Sequence, residues 1–297
     1  MKLTSDFVGT ALKEHTCRIS ARWTMNYAAA IGDPNPLYFN DERPEGIIAP
    51  PLFPVAVTWP IIENIADYIE AEGFPREILF TQVHYTEHLH IHGPVTPGGN
   101  IKIRGSIAAI LPHRTGTHVV IRFDAMDAGG NPLFTEHIGA MMRGVQCADS
   151  GKGIEQLPAV PRLPEESVSL WESIIPIDPL APFIYDGCTN IHFPIHTSVK
   201  FARQVGLPGI IHQGTATLAL AVHNILNREA GGDPHRLVSV YCRFTGMVLP
   251  GSAITVRLTG KNQAFGGTYL FFTVLNHEEK RAVSDGYIRL EDNRRNS

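Results

Sequence analysis

Two stretches of the chain combine proton-transfer groups with a rigid turn. In the first, Asp33 and Asn35 stand in Gly-Asp-Pro-Asn-Pro-Leu-Tyr, which ends at Tyr38. In the second, Asn190, His192 and His196 stand in Asn-Ile-His-Phe-Pro-Ile-His, and Ile-Ile-His-Gln-Gly follows, ending at Gly214. An imidazole, with a reference pKa of about 6.5, suits general acid–base work near neutrality. A phenol such as Tyr38, at about 10, is a poor base there. A glycine at the start of a helix offers an unpaired N–H of partial positive charge, which suits an oxygen that becomes negative during reaction. Imidazoles at His192 and His196 could thus move a proton, and a helix start at Gly214 could meet a negative charge.

The elements that position these residues are written twice. Tyr27 stands eleven residues before Tyr38, and Tyr185 stands eleven before His196, so Pro36 falls on Pro194. Gly46-Ile-Ile-Ala-Pro-Pro51 then matches Gly209-Ile-Ile-His-Gln-Gly214. A long helix, apolar nearly all round and therefore buried, is expected after each, over residues 52–69 and 215–227. Turns at Val95-Thr-Pro-Gly-Gly and Val248-Leu-Pro-Gly-Ser lead into strands of period two, carrying Ile101, Ile103 and Ile107, then Ile254, Val256 and Leu258. Further strands are expected at 119–125, 133–142, 269–275 and 282–290. Each half reads as a helix followed by an antiparallel meander. The prolines of Ser150 to Pro164 mark a linker, giving units 1–149 and 165–297 around a connection at 150–164.

With 297 residues and 43% hydrophobic content, each unit can bury a core. A net charge of −4 and no run of Lys or Arg give no footprint for nucleic acid or an anionic membrane, so a small-molecule substrate is expected. No stretch reaches the roughly 18 apolar residues of a membrane span, and the first residues lack a signal peptide's apolar run, so a cytoplasmic location is expected. Cys17, Cys147, Cys188 and Cys242 form no CxxC pair and read as reduced thiols.

With these motifs laid out, the chain resembles the MaoC-like family of (R)-specific enoyl-CoA hydratases and 3-hydroxyacyl-thioester dehydratases in double hot-dog form. The family motif is Asp-x-Asn-Pro-aliphatic-His, which the first half matches except at Tyr38. The resemblance implies an α+β fold of two repeats, each an antiparallel sheet wrapped around a long central helix. It also implies a substrate that is an acyl thioester of coenzyme A or of a carrier protein, with no further cofactor, and pairing into a homodimer through sheet edges.

In the resembled family Asp and His hold the water, and an N–H at the helix start polarises the thioester carbonyl. The first half has Pro51 at that start, which carries no N–H, and Tyr38 in place of His. It is expected to be a scaffold and acyl tunnel, with Asp33 and Tyr38 lining the substrate and Asp33 and Asn35 tying their own loop. The second half keeps His196 as acid/base and Gly214 as oxyanion donor, but Ile191 and Phe193 stand where Asp and Asn belong. Those apolar groups would suit a bulky acyl group, with His212 and Gln213 also lining the site. Asn190 or His192 could position the water, or Asp186 could supply a carboxylate. Arg243, Lys261 and Arg289 could meet a phosphate or stay solvated.

Other readings are a non-catalytic acyl-thioester binder or partner subunit, and a hot-dog thioesterase. The latter commonly places an acidic residue on the central helix, and 215–227 holds none. His88, His90 and His92 share one strand face, as zinc ligands can. An exposed face at the sheet's rim explains them as well, and no metal is expected.

Overall fold

The computed structural model describes residues 1–161, 169–264 and 266–291. Arg162, Leu163 and Pro164, the end of the expected linker, lie outside them. The first half comprises β1 (Lys2–Leu3), β2 (His15–Arg18), α1 (Ala21–Ala30), α2 (Pro36–Phe39), α3 (Phe53–Glu63), α4 (Ile65–Tyr68), β3 (Gln82–Ile91), β4 (Asn100–His113), β5 (Gly116–Met126), β6 (Pro132–Arg143) and β7 (Gln146–Cys147). The second comprises β8 (Trp171–Pro176), α5 (Ala181–Thr189), α6 (Val199–Gln204), α7 (Gly214–Glu229), β9 (Leu237–Phe244), β10 (Ala253–Ala264), β11 (Gly267–Leu275) and β12 (Arg281–Glu291).

Ten strands form one sheet in the order β2-β4-β5-β6-β3-β9-β12-β11-β10-β8, and β1 pairs in parallel with β7. Each half is an antiparallel hot-dog sheet, and the two join where β3 meets β9, from Thr86↔Arg243 to His90↔Ser239. The alternating isoleucines of β4 and the Ile254, Val256 and Leu258 of β10 point to the helix side and are buried. The helices α3 and α7 lie on that side. Buried residues run almost without a break through α3 and through Thr215–Val222 of α7, which leaves no stable place for these turns except inside the sheet's curve.

Local chemistry sets the helix ends. The helix expected over 52–69 is broken into α3 and α4. Pro60 removes an N–H from its ladder, and Asn64 then folds its side-chain amide back onto the Pro60 carbonyl at 3.0 Å. In the second half α7 begins at Gly214 and runs on to Glu229 before Gly231 and Gly232, both at positive φ, turn the chain.

Of the three histidines expected at a rim, His88 is instead buried in the sheet's centre, whereas His92, just beyond the end of β3, is exposed. β3 is central, flanked by β6 and β9, and His88 is buried with its Nε2 2.9 Å from Ser239 Oγ. The rings of His90 and His92 are 4.7 Å apart. Period-two alternation alone cannot reveal that a second repeat will pair along this strand. At the other end of the first half, Lys152 bridges Ile110, and Gly153, at φ +91, lies so close to Ala108 that a Cβ would meet its carbonyl at 2.1 Å.

Candidate active site

The second motif loop starts where α5 ends. Asn190 closes that helix in the left-handed conformation, at φ 62, which Asn tolerates better than most residues. Ile191 is buried, and Phe193 is 38% exposed with its ring 6.3 Å from that of Phe201. The N–H of His196 bonds to the Phe193 carbonyl and that of Ser198 to Pro194, so a tight turn presents the imidazole. His196 Nδ1 lies 2.8 Å from the Ile211 carbonyl and donates to it, which leaves Nε2 as the nitrogen with a lone pair. Burial holds this imidazole below its ordinary pKa, against the Ile211 bond and the charge of Asp186.

The same backbone that fixes His196 leads into α7. Ile211 N–H bonds back to Ile195, and His212 N–H bonds to Val248. Gln213 donates its amide to the Pro182 carbonyl at 2.9 Å. Gly214 is the first helical residue, and its N–H has no carbonyl within the helix to bond. A Cβ there would meet the Phe244 ring at 3.0 Å, so a side chain would crowd the helix start. His192 and Asp186 pair with each other at 3.1 Å, and Trp59 of α3 donates to the His192 carbonyl. His196, His212, Gln213 and Gly214 are thus brought together around one turn, while His192 turns to Asp186.

The first motif loop does something different. Asp33 Oδ1 accepts Asn35 N–H, and Asn35 Oδ1 accepts Leu37 N–H, so both side chains tie their own loop. Asp33 Oδ2 also lies 2.7 Å from Nδ1 of His223 on α7, and the Asn35 amide donates to the Gly232 carbonyl. Tyr38 packs with Ala28 and Ile48, and burial pushes its hydroxyl well up. The cavity here, of about 500 Å³, is lined by residues 33–37, His223, Asn227 and Gly231 to Asp233. Asp33 therefore serves contact between the halves, and His223, two helical turns into α7, gave no sign of it.

A buried polar cluster at the seam also went unread. Tyr27 and Tyr185, equivalent positions of the two repeats, meet with hydroxyls 3.3 Å apart, and Tyr27 donates to the Leu52 carbonyl before α3. Glu87 and Glu136 are fully buried. Burial pushes the Glu87 carboxyl up to about 8 and holds that of Glu136 well above the usual carboxylate range, with Glu87 adding to the latter. His84 Nε2 lies 3.2 Å from Glu87. The signal was present: Glu87 precedes the core residue Leu89 by two, and Glu136 falls between Phe134 and Ile138.

Of the basic residues, Arg243 pairs with Asp285, Lys261 with Glu229 and Arg289 with Glu291. Glu229, on the last turn of α7, also accepts from Trp171. Among the described residues no group of three His, Cys, Asp or Glu side chains is arranged to hold a metal ion, and no helix is long and apolar enough to cross a membrane.

Residues 172–278 match the MaoC like domain, and residues 6–136 match the FAS1-like dehydratase domain region. The fatty acid synthase subunit beta of Aspergillus oryzae is 36% identical over 115 residues, 38% of this chain and 6% of that protein. The peroxisomal multifunctional enzyme type 2 of Drosophila melanogaster is 24% identical over 91% of this chain and 44% of its own length. The chain thus spans less than half the length of these two relatives. The crystal structure of a MaoC-like dehydratase from Phytophthora capsici superposes with a TM-score of 0.82 at 20% identity, covering 97% of this chain and 98% of that one. The chain thus carries a MaoC like domain in its second half and a FAS1-like dehydratase domain region in its first, on a double hot-dog fold.

Proposed function

We propose that the protein hydrates an α,β-unsaturated acyl thioester or removes water from the corresponding 3-hydroxyacyl thioester, at the site of His196 and Gly214. One observation carries this reading. The imidazole of His196 is fixed at Nδ1 by the Ile211 carbonyl, three residues before the helix start whose Gly214 N–H is open to an oxygen. In the hydration direction His196 Nε2 takes a proton from water while the water oxygen adds at the β-carbon. Charge then develops on the thioester oxygen, and Gly214 N–H and the positive end of α7 stabilise it there. Return of the proton to the α-carbon completes the addition. Dehydration uses the same groups in reverse.

Burial favours this role, because an imidazole held below its ordinary pKa is neutral, and so able to accept a proton, at pH 7. The first half carries no equivalent pair, with Tyr38 and Pro51 in the two positions. Its part in the proposal is to close the acyl site through Trp59 and the Asp33–His223 contact. Incubation with crotonyl-CoA and a panel of branched and aromatic enoyl-CoAs, following loss of the conjugated thioester absorbance, tests the reading. Turnover of at least one is expected, and no turnover across the panel overturns it.

A further inference from the structure

The turn that leads into α7 holds buried polar atoms with nothing to bond. His212 is 5% exposed, and neither of its ring nitrogens has a hydrogen-bond partner. Beside it Gln213, 1% exposed, leaves its Oε1 unpaired. Buried polar groups are nearly always bonded, to protein or to a held water, so a pair of orphaned nitrogens beside a candidate reaction site marks a place for a ligand or water. His212 is also tied closely to His196. The two come from adjacent runs of backbone, joined by Ile211 N–H to Ile195 and by His196 Nδ1 to Ile211, and a charge on His196 disfavours one on His212.

We infer that His212 is a second catalytic imidazole, which accepts one hydrogen of the reacting water while His196 takes the other. The inference rests on the hydratase reading and supplies what Ile191 removed from the motif. A water held for attack needs acceptors for both its hydrogens, and a neutral imidazole offers one lone pair. His212 is kept neutral by burial, with its pKa lowered to about 4. Asp186 is already engaged with His192 at 3.1 Å.

The step balances with one water consumed. Water gives a proton to His196 Nε2, its oxygen forms the C–O bond at the β-carbon, and the π pair moves to the thioester oxygen. The enolate then takes the proton from His196 at the α-carbon. His212 gains and loses no proton, and fixes the direction of the oxygen lone pair.

The test is steady-state hydration of the best enoyl-CoA by the full chain and two variants. His212→Phe keeps an aromatic ring without an acceptor, and His212→Gln restores an acceptor without an imidazole. We expect kcat to fall about 100-fold in the Phe variant at little change in KM, and to recover at least about tenfold in the Gln variant. Thermal melting and circular dichroism establish that each variant is folded. Should the Phe variant not fold, His212→Leu, which likewise carries no acceptor, takes its place and is held to the same expectations. A folded Phe variant within about threefold of wild type, or equal losses in both variants, overturns the role of His212 alone. A wild type that turns over no enoyl-CoA overturns the hydratase reading and this role together.

Discussion

At the scale of single residues, the proposed site rests on two groups whose freedom has been removed. His196 has one tautomer favoured by the Ile211 carbonyl, and Gly214 has no side chain because the Phe244 ring occupies that space. Gly214→Ala puts a methyl group 3.0 Å from that ring, tighter than an ordinary contact, and the ring is itself packed 4.6 Å from His84. The helix start must shift to relieve it. Kinetics of Gly214→Ala should show kcat lowered about tenfold or more with helix content retained, since misplacing one oxyanion donor is costly; unchanged kcat would remove Gly214 N–H from the mechanism. The turn that carries His196 and the helix start at Gly214 were legible because both are local features. The pairing of Asp33 with His223 was not, because its partner lies in the other repeat and comes near only when both halves fold.

At the scale of elements, helices and strands were legible where periodicity governs them. α7 and the strands β4, β5, β6, β10, β11 and β12 fall where apolar patterns place them. The break after α3 was not foreseen, since apolar residues resume at Ile65 beyond Glu63 and Asn64 while the helix does not run through. The buried carboxyls of β3 and β6 lead to a pH prediction. Burial raises the Glu87 pKa to about 8 and that of Glu136 well above the ordinary 4.5. Their contribution to stability is complete below pH 4.5, where folded and unfolded chains are both protonated, and is lost as pH rises through about 8. His84, lowered by burial to about 4 from 6.5, acts at the other end and destabilises the fold as pH falls between those values. Glu136→Gln removes one proton-binding group at nearly constant shape. Its urea-unfolding free energy should decline less than that of wild type between about pH 6 and 9, and parallel declines would contradict the account.

At the scale of the whole molecule, the two repeats share one sheet and one hydrophobic cluster. Strand β3 pairs with β9, α1 packs on α5, and Trp23 donates to the Thr189 carbonyl across the seam. The duplication was legible from the matching motifs, but the seam was not, because nothing in one repeat states which edge it offers to the other. Unfolding should therefore be a single transition, with far-ultraviolet dichroism and tryptophan fluorescence coinciding; two separated transitions would contradict a shared core. Tyr27→Phe removes the donor to the Leu52 carbonyl at the start of α3 and the contact with Tyr185. It should cost about 1–3 kcal/mol and shift both probes together.

All three scales meet at His196, which the shared sheet, the turn and the Ile211 bond hold beside the start of α7. The most direct measurement is the hydration rate of an accepted enoyl-CoA by wild type and His196→Ala, side by side at equal folded concentration. Wild type should turn over, and the variant should be slower by about 100-fold or more in kcat. A His196→Ala variant that matches the wild-type rate would contradict the account.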